Sequence, residues 1–146
     1  MPAPKLRDGT TLEGLNALGV GHLPAWFGVE AVVLALGRLS ARMLIRPEML
    51  APGGFLHAAA IIALADTAAG YATGAHLPEG ASSFRTIEMK SNFFGTQTDG
   101  VLLCEATAVH GDRHTQVWDA EVSSGGSGSR LALFRCTQMI LWPKGH

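Results

Sequence analysis

Residues 57–73 read HAAAIIALADTAAGYAT, and the reading of this stretch decides the fold. It is rich in Ala and Leu, free of proline, and long enough for about four to five helical turns. Apolar side chains cover almost the whole circumference, which is the mark of a helix packed inside a protein rather than lying on its surface. Only Asp66 and Thr67 interrupt the run. Gly74 supplies a stop signal, and Pro78-Glu79-Gly80 follows as loop.

Outward from this helix the sequence changes character. Towards the N-terminus, Pro47 to Gly54 reads as a loop. Before it, Val29–Leu36 and Leu39–Ile45 read as strands broken by Gly37-Arg38, and together they make a hairpin. Leu23–Phe27 reads as a turn onto the sheet. Leu12, Leu15 and Leu18 fall at helical spacing behind a possible Thr11 cap, and residues 1–10 read as a loose, Pro-containing lead-in. Towards the C-terminus four strands are expected, Phe84–Phe94, Val101–His110, Thr115–Val122 and Leu131–Trp142, with the Gly/Ser run 123–129 as a hairpin tip. The order predicts an α+β fold of one domain over 1–146, an antiparallel sheet wrapped around one long buried helix.

Composition narrows the function. The chain has 146 residues, 47% of them hydrophobic, and a positive mean hydropathy. That is much apolar surface for a small domain, and it suggests burial against another copy, a homodimer or a dimer of dimers. A net charge of −1 argues against nucleic-acid binding. No apolar run reaches the length of a bilayer span, and the polar N-terminus lacks a signal-peptide core, so a cytoplasmic protein is expected. Cys104 and Cys136 stand alone in apolar segments and read as buried free thiols. No ligand cluster suggests a metal, and no cofactor is expected.

Asp66 is the sharpest chemical signal. A carboxylate inside an apolar helix is costly if dry and unpaired. Either it reaches water or a ligand, where a raised pKa suits a general base or nucleophile, or it hydrogen-bonds a loop backbone. The pattern alone leaves both open. The start of the same helix, Gly53-Gly54-Phe55-Leu56-His57-Ala58, offers unpaired N–H groups that can polarise a carbonyl. Capping or water would satisfy the same groups.

The stretch GFLHAAAIIALADTAAGYA resembles the signature of the PaaI-type hotdog thioesterases, relatives of phenylacetate-pathway and hydroxybenzoyl-CoA thioesterases, whose pattern runs G-x-x-H-G-G-x-x-x-x-L-x-D-x-A. TIEMKSNFF, HGDRHTQVWDAEV and RLALFRCTQMIL are similar to later strands of that family, so that the likeness covers about residues 20–142. The resemblance implies an acyl-CoA thioesterase of hotdog fold. Asp66 would then be general base or nucleophile, and the Ala58 N–H would polarise the thioester carbonyl. His57 would position ligand or loop, and Thr86 would lie near the attacking water. Arg113 and His114 would meet CoA phosphates, although a solvated turn explains Arg113 equally well. Ala58-Ala59 replaces the family's Gly-Gly and narrows the approach, and Ala51 replaces a polar loop residue. Ala58 and Asp66 are eight residues apart, about 12 Å along a helix. If both act on one thioester, they come from different subunits. Aryl-acetyl, aryl-carboxyl and medium-chain acyl groups all fit. A hotdog dehydratase or hydratase and a non-catalytic acyl-thioester binding protein are the alternatives.

Overall fold

A computed structural model describes residues 5–145. Its elements in chain order are α1 (Leu12–Leu18), α2 (Leu23–Phe27), β1 (Glu30–Ala35), β2 (Arg38–Leu44), α3 (Ala58–Ala75), β3 (Ser83–Phe93), β4 (Val101–Gly111), β5 (Thr115–Ser124) and β6 (Arg130–Leu141). The six strands form one antiparallel sheet in the order β1-β2-β4-β5-β6-β3. The sheet wraps α3, which packs on β2, β4, β5 and β6. This is the hotdog fold.

Period-2 alternation fixes the two faces of the sheet. Gln116, Trp118, Ala120, Val122 and Ser124 of β5 are buried towards α3, as are Ala132, Phe134, Cys136, Gln138 and Ile140 of β6. Cys104 and Cys136 are free buried thiols. The outer face carries charge, with Arg38 paired to Glu105 at 3.2 Å and Arg130 to Glu121 at 3.5 Å.

The helix differs in detail from its sequence reading. It runs through Gly74 to Ala75. Gly74 lies under the Phe84 ring, where an added methyl would stand in ordinary contact 3.7 Å from that ring. His76 ends the helix. Its Nδ1 bonds the Ala72 carbonyl at 2.7 Å, and its Nε2 accepts the Gly37 N–H at 2.8 Å. These partners fix the neutral Nδ1–H tautomer. Burial likewise lowers its pKa, against the opposing pull of the Ala72 carbonyl. The helix is also not enclosed on every side. Ile62, Ala63, Asp66, Thr67, Gly70 and Gly74 form a half-buried stripe, because one copy of the sheet covers only the rest of the circumference. By length and composition α3 would suffice to cross a bilayer.

The N-terminal segment also departs from expectation. Residues 1–4, with both prolines of the lead-in, lie outside the described residues. From Arg7 the chain is tied down rather than loose: its N–H donates to Ala75 O at 2.8 Å and its guanidinium to Ala81 O at 3.1 Å. Leu23–Phe27 is a short helix and not a turn. Pro24 sits in its first turn, where no N–H is needed, and Gly28 closes it at φ 73°. Gly19, between α1 and α2, is required by packing, since a Cβ there would stand 2.7 Å from the Tyr71 hydroxyl and 3.0 Å from Pro24 Cβ. Gly19→Ala is expected to destabilise the fold by about 1–3 kcal/mol, as overpacking does. A denaturant midpoint identical to the wild type would contradict that packing.

Candidate active site

The approach to α3 is built by a compact loop. A 3-10 turn at Pro47–Met49 leads to a bridge between Leu50 and Leu56, and the Ala51 N–H donates to Phe55 O at 2.6 Å. The turn residues Pro52-Gly53-Gly54 make this reversal possible, with Gly54 at φ 87°. His57 is then anchored by its own N–H on Met49 O at 3.0 Å.

His57 is the N-cap of α3. Its Nδ1 accepts the Ala59 N–H at 2.9 Å, and its carbonyl accepts the Ala60 N–H at 2.9 Å. A ring nitrogen that accepts is unprotonated, so the neutral imidazole carries its proton on Nε2. The cap skips Ala58. Among the described residues the exposed Ala58 N–H has no hydrogen-bond partner. It is a free donor at the positive end of an 18-residue helix.

Asp66 lies two turns further on, in the half-open stripe. Its Oδ1 is buried and, among the described residues, accepts no hydrogen bond, from loop backbone or elsewhere. Burial raises its carboxyl above the usual range. The neighbourhood follows from packing. Gly70 and Gly74 lie under Phe84 of β3, so one turn back Asp66 is level with the next inward residue of that strand, Thr86. On β6, burial first and the Asp66 charge second push the Cys136 thiol up to about 12.

Thr86 faces the helix side at the register position of Gln138, and its hydroxyl donates to Gln138 Oε1 at 2.8 Å. Immediately after it, Ile87 forms a bulge that shifts the register of β3. Met89, 42% exposed, continues the inward row. Tyr71 turns its buried hydroxyl towards Gly19.

Arg113 and His114 occupy the β4–β5 turn. The Arg113 guanidinium stacks 4.2 Å from the Trp142 ring centre, and Trp142 Nε1 donates to Arg113 O at 3.0 Å. The His114 N–H donates to Asp112 Oδ1 at 2.8 Å. The His110 imidazole, with the Thr115 and His114 N–H groups, holds Asp112 far below the usual carboxylate range. This turn lies at the C-terminal end of α3, where Gln116 Nε2 donates to His76 O at 2.9 Å. Within one chain, then, Asp66 and Thr86 share the helix-facing side of the sheet at neighbouring levels. Ala58 and His57 stand about 12 Å away along the helix, and the Arg113–His114 turn lies beyond the opposite end. A depression on the outer face, lined by Ser40, Lys90, Glu105, Glu121 and Arg135, is on the other side of the sheet from Asp66.

The chain belongs to the thioesterase superfamily, whose family model matches residues 53–130, from the loop before α3 to the start of β6. It is a thioester hydrolase. A 1,4-dihydroxy-2-naphthoyl-CoA hydrolase of Escherichia coli is 29% identical over 113 residues, covering 77% of this chain and 82% of that protein. A thioesterase from Pseudomonas aeruginosa, solved as a point mutant, superposes with a TM-score of 0.87 at 25% identity, covering 93% of this chain and 97% of the other. The Escherichia coli PaaI protein of the phenylacetic acid degradation operon shares the fold, with a TM-score of 0.78 at 20% identity over 88% and 89% of the two chains.

Gln138 is the residue of this region that sequence reasoning missed. Its signal was a lone amide at an inward position between Cys136 and Ile140.

Proposed function

We propose that this protein hydrolyses a small aryl- or medium-chain acyl-CoA to the free acid and CoA, at a site completed by a second copy of the chain. The observation that carries the reading is the buried, unpartnered Oδ1 of Asp66 beside the half-open stripe of α3. The naming of the Escherichia coli relative as an acyl-CoA hydrolase supports the carrier.

In this mechanism a water attacks the thioester carbonyl carbon while Asp66 takes one of its protons. The oxygen gains negative charge and is held by the Ala58 N–H of the other copy. The C–S bond then breaks, and the proton passes from Asp66 to the departing sulfur. The Arg113–His114 turn, at the rim, meets the phosphates. Oligomerisation would use β3, an edge strand of 11 residues with Ile87 57% and Phe93 44% exposed. Such an edge invites a further strand. The two free thiols suit a reducing compartment such as the cytoplasm.

A mixed dimer tests the shared site. One chain carries Asp66→Asn and the other Ala58→Pro, with different affinity tags to isolate the heterodimer. Sharing leaves one intact Asp66–Ala58 pair per dimer, so about half the wild-type release of CoA thiol is expected, while each parent homodimer is inactive. A heterodimer as inactive as its parents would overturn the shared site. A panel of aryl-acetyl, aryl-carboxyl and medium-chain acyl-CoA substrates identifies the acyl group.

A further inference from the structure

Gln138 is completely buried, at 0% exposure, on the face of β6 that packs towards α3. A buried amide needs partners for both ends. Its Nε2 donates to the Cys136 Sγ at 3.5 Å, and its Oε1 accepts from the Thr86 hydroxyl at 2.8 Å. The Cys136 thiol, on the same inward row and near enough to Asp66 to feel its charge, takes the amide's nitrogen end and leaves the oxygen end to Thr86. Thr86 stands opposite Gln138 in the β3–β6 register, just before the bulge at Ile87.

The direction of the bond has a chemical consequence. A threonine hydroxyl has one proton and two lone pairs. Here the proton is committed to Gln138, so towards the stripe of α3 the Thr86 oxygen presents lone pairs only. It can accept a hydrogen bond from a water there, and it cannot donate one.

We propose that Gln138 is a positioning residue for hydrolysis, which by holding the Thr86 proton makes that hydroxyl an obligate acceptor for the nucleophilic water. This rests on the reading of Asp66 as the base. A water between Asp66 and Thr86 then has both O–H bonds directed to acceptors, one to the carboxylate that removes the proton and one to Thr86. Both lone pairs are then left free, one of them for the thioester carbon. Had Thr86 donated instead, it would occupy one lone pair and leave one O–H without the acceptor that orients the water. Gln138 touches neither water nor substrate and acts only through Thr86.

The test is a double-mutant cycle on the intact protein, read as kcat and KM with the best acyl-CoA of the substrate panel. Gln138→Met keeps the volume and removes both hydrogen bonds, and Thr86→Val removes the hydroxyl. Each is expected to lower kcat by about 10- to 100-fold with KM within about threefold, the loss expected when a reacting group is misplaced. The double variant is expected to be no slower than Thr86→Val alone, because both changes remove one function. A merely structural Gln138 would lower stability and add its loss to that of Thr86→Val, and such additivity would overturn the proposal. So would full kcat in Gln138→Met. Should that variant fail to fold, Gln138→Glu replaces it. Protonated in this dry position, glutamic acid keeps an acceptor for Thr86 and a donor for Cys136, so kcat within about threefold of wild type is expected and a larger loss overturns the proposal. Asp66→Asn, assayed alongside, separates two failures. If it is slow while Gln138→Met is not, Gln138 is wrong and the base stands. If Asp66→Asn retains full kcat, the reading of the site falls and the proposal with it.

Discussion

Asp66→Asn is expected to lower kcat for acyl-CoA hydrolysis by about a hundred- to ten-thousand-fold, the range over which a positioned general base contributes, while making the protein harder to unfold. Both effects come from one observation, a carboxylate with a buried oxygen that none of the described residues bonds. Burial raises its pKa, so the folded state disfavours its charged form. Between the ordinary carboxylate value and the raised one, the unfolded chain has already released the proton and the folded chain has not. The folded state therefore binds more protons, and stability declines as pH rises through that window. Asparagine removes the penalty, and the melting temperature of the variant at neutral pH should exceed that of the wild type. Activity has the opposite sign. The base works only when ionised, so wild-type kcat rises with pH through the same window, and that limb is absent in Asp66→Asn. Thiol release across pH and thermal melts measure both. An undiminished kcat removes Asp66 from the mechanism, and an unchanged melting temperature says its burial carries no penalty.

Ala58→Pro is the second large effect, about a hundred- to a thousand-fold in kcat, the loss seen when one oxyanion donor is deleted. Proline is the right probe because the backbone already accepts it. Ala58 is the first residue of α3, where a missing N–H breaks no helical bond. His57 before it has φ −67° and ψ 135°, the extended conformation that a residue preceding proline adopts. The cap from Ala59 to His57 Nδ1 does not involve the Ala58 nitrogen. Stability should therefore hardly move while catalysis collapses. Ala58→Gly keeps the donor and clears the methyl, so it separates loss of the N–H from crowding. If Ala58→Pro turns over at the wild-type rate, the helix start does not hold the developing oxyanion.

Much of this architecture can be read from alternation and from one apolar helix. The β5 pattern of Trp118, Ala120 and Val122 against Asp119 and Glu121 gives its inner face directly, because one face of the sheet is dry. The place of β3 is not legible in that way. It precedes β4 in sequence but pairs with β6 at the far edge, and pairing of distant strands leaves no local mark. The bulges at Val32, Ile87 and Val109 are equally silent, since each inserts an ordinary β-branched residue into an ordinary strand. At the site, Asp66 stands out because a lone carboxylate in an alanine-rich helix is expensive. Ala58 came from a resemblance, as no side chain marks a backbone donor. The geometry adds that the His57 ring caps Ala59 and leaves Ala58 free. Gln138 becomes meaningful only once the inward parity of β6 is known.

The two buried cysteines have a practical bearing on every measurement above. Both thiols are pushed up to about 12, principally by burial. The thiolate is the reactive form, and at assay pH essentially none exists on the folded chain. A disulfide dye present throughout turnover therefore reports liberated CoA against a silent background and does not poison the enzyme it monitors. When the chain opens, both sulfurs meet solvent at once, so the same dye, without substrate, counts two equivalents per chain and becomes a clock for unfolding. One cuvette thus distinguishes a variant that has lost its chemistry from one that has lost its fold.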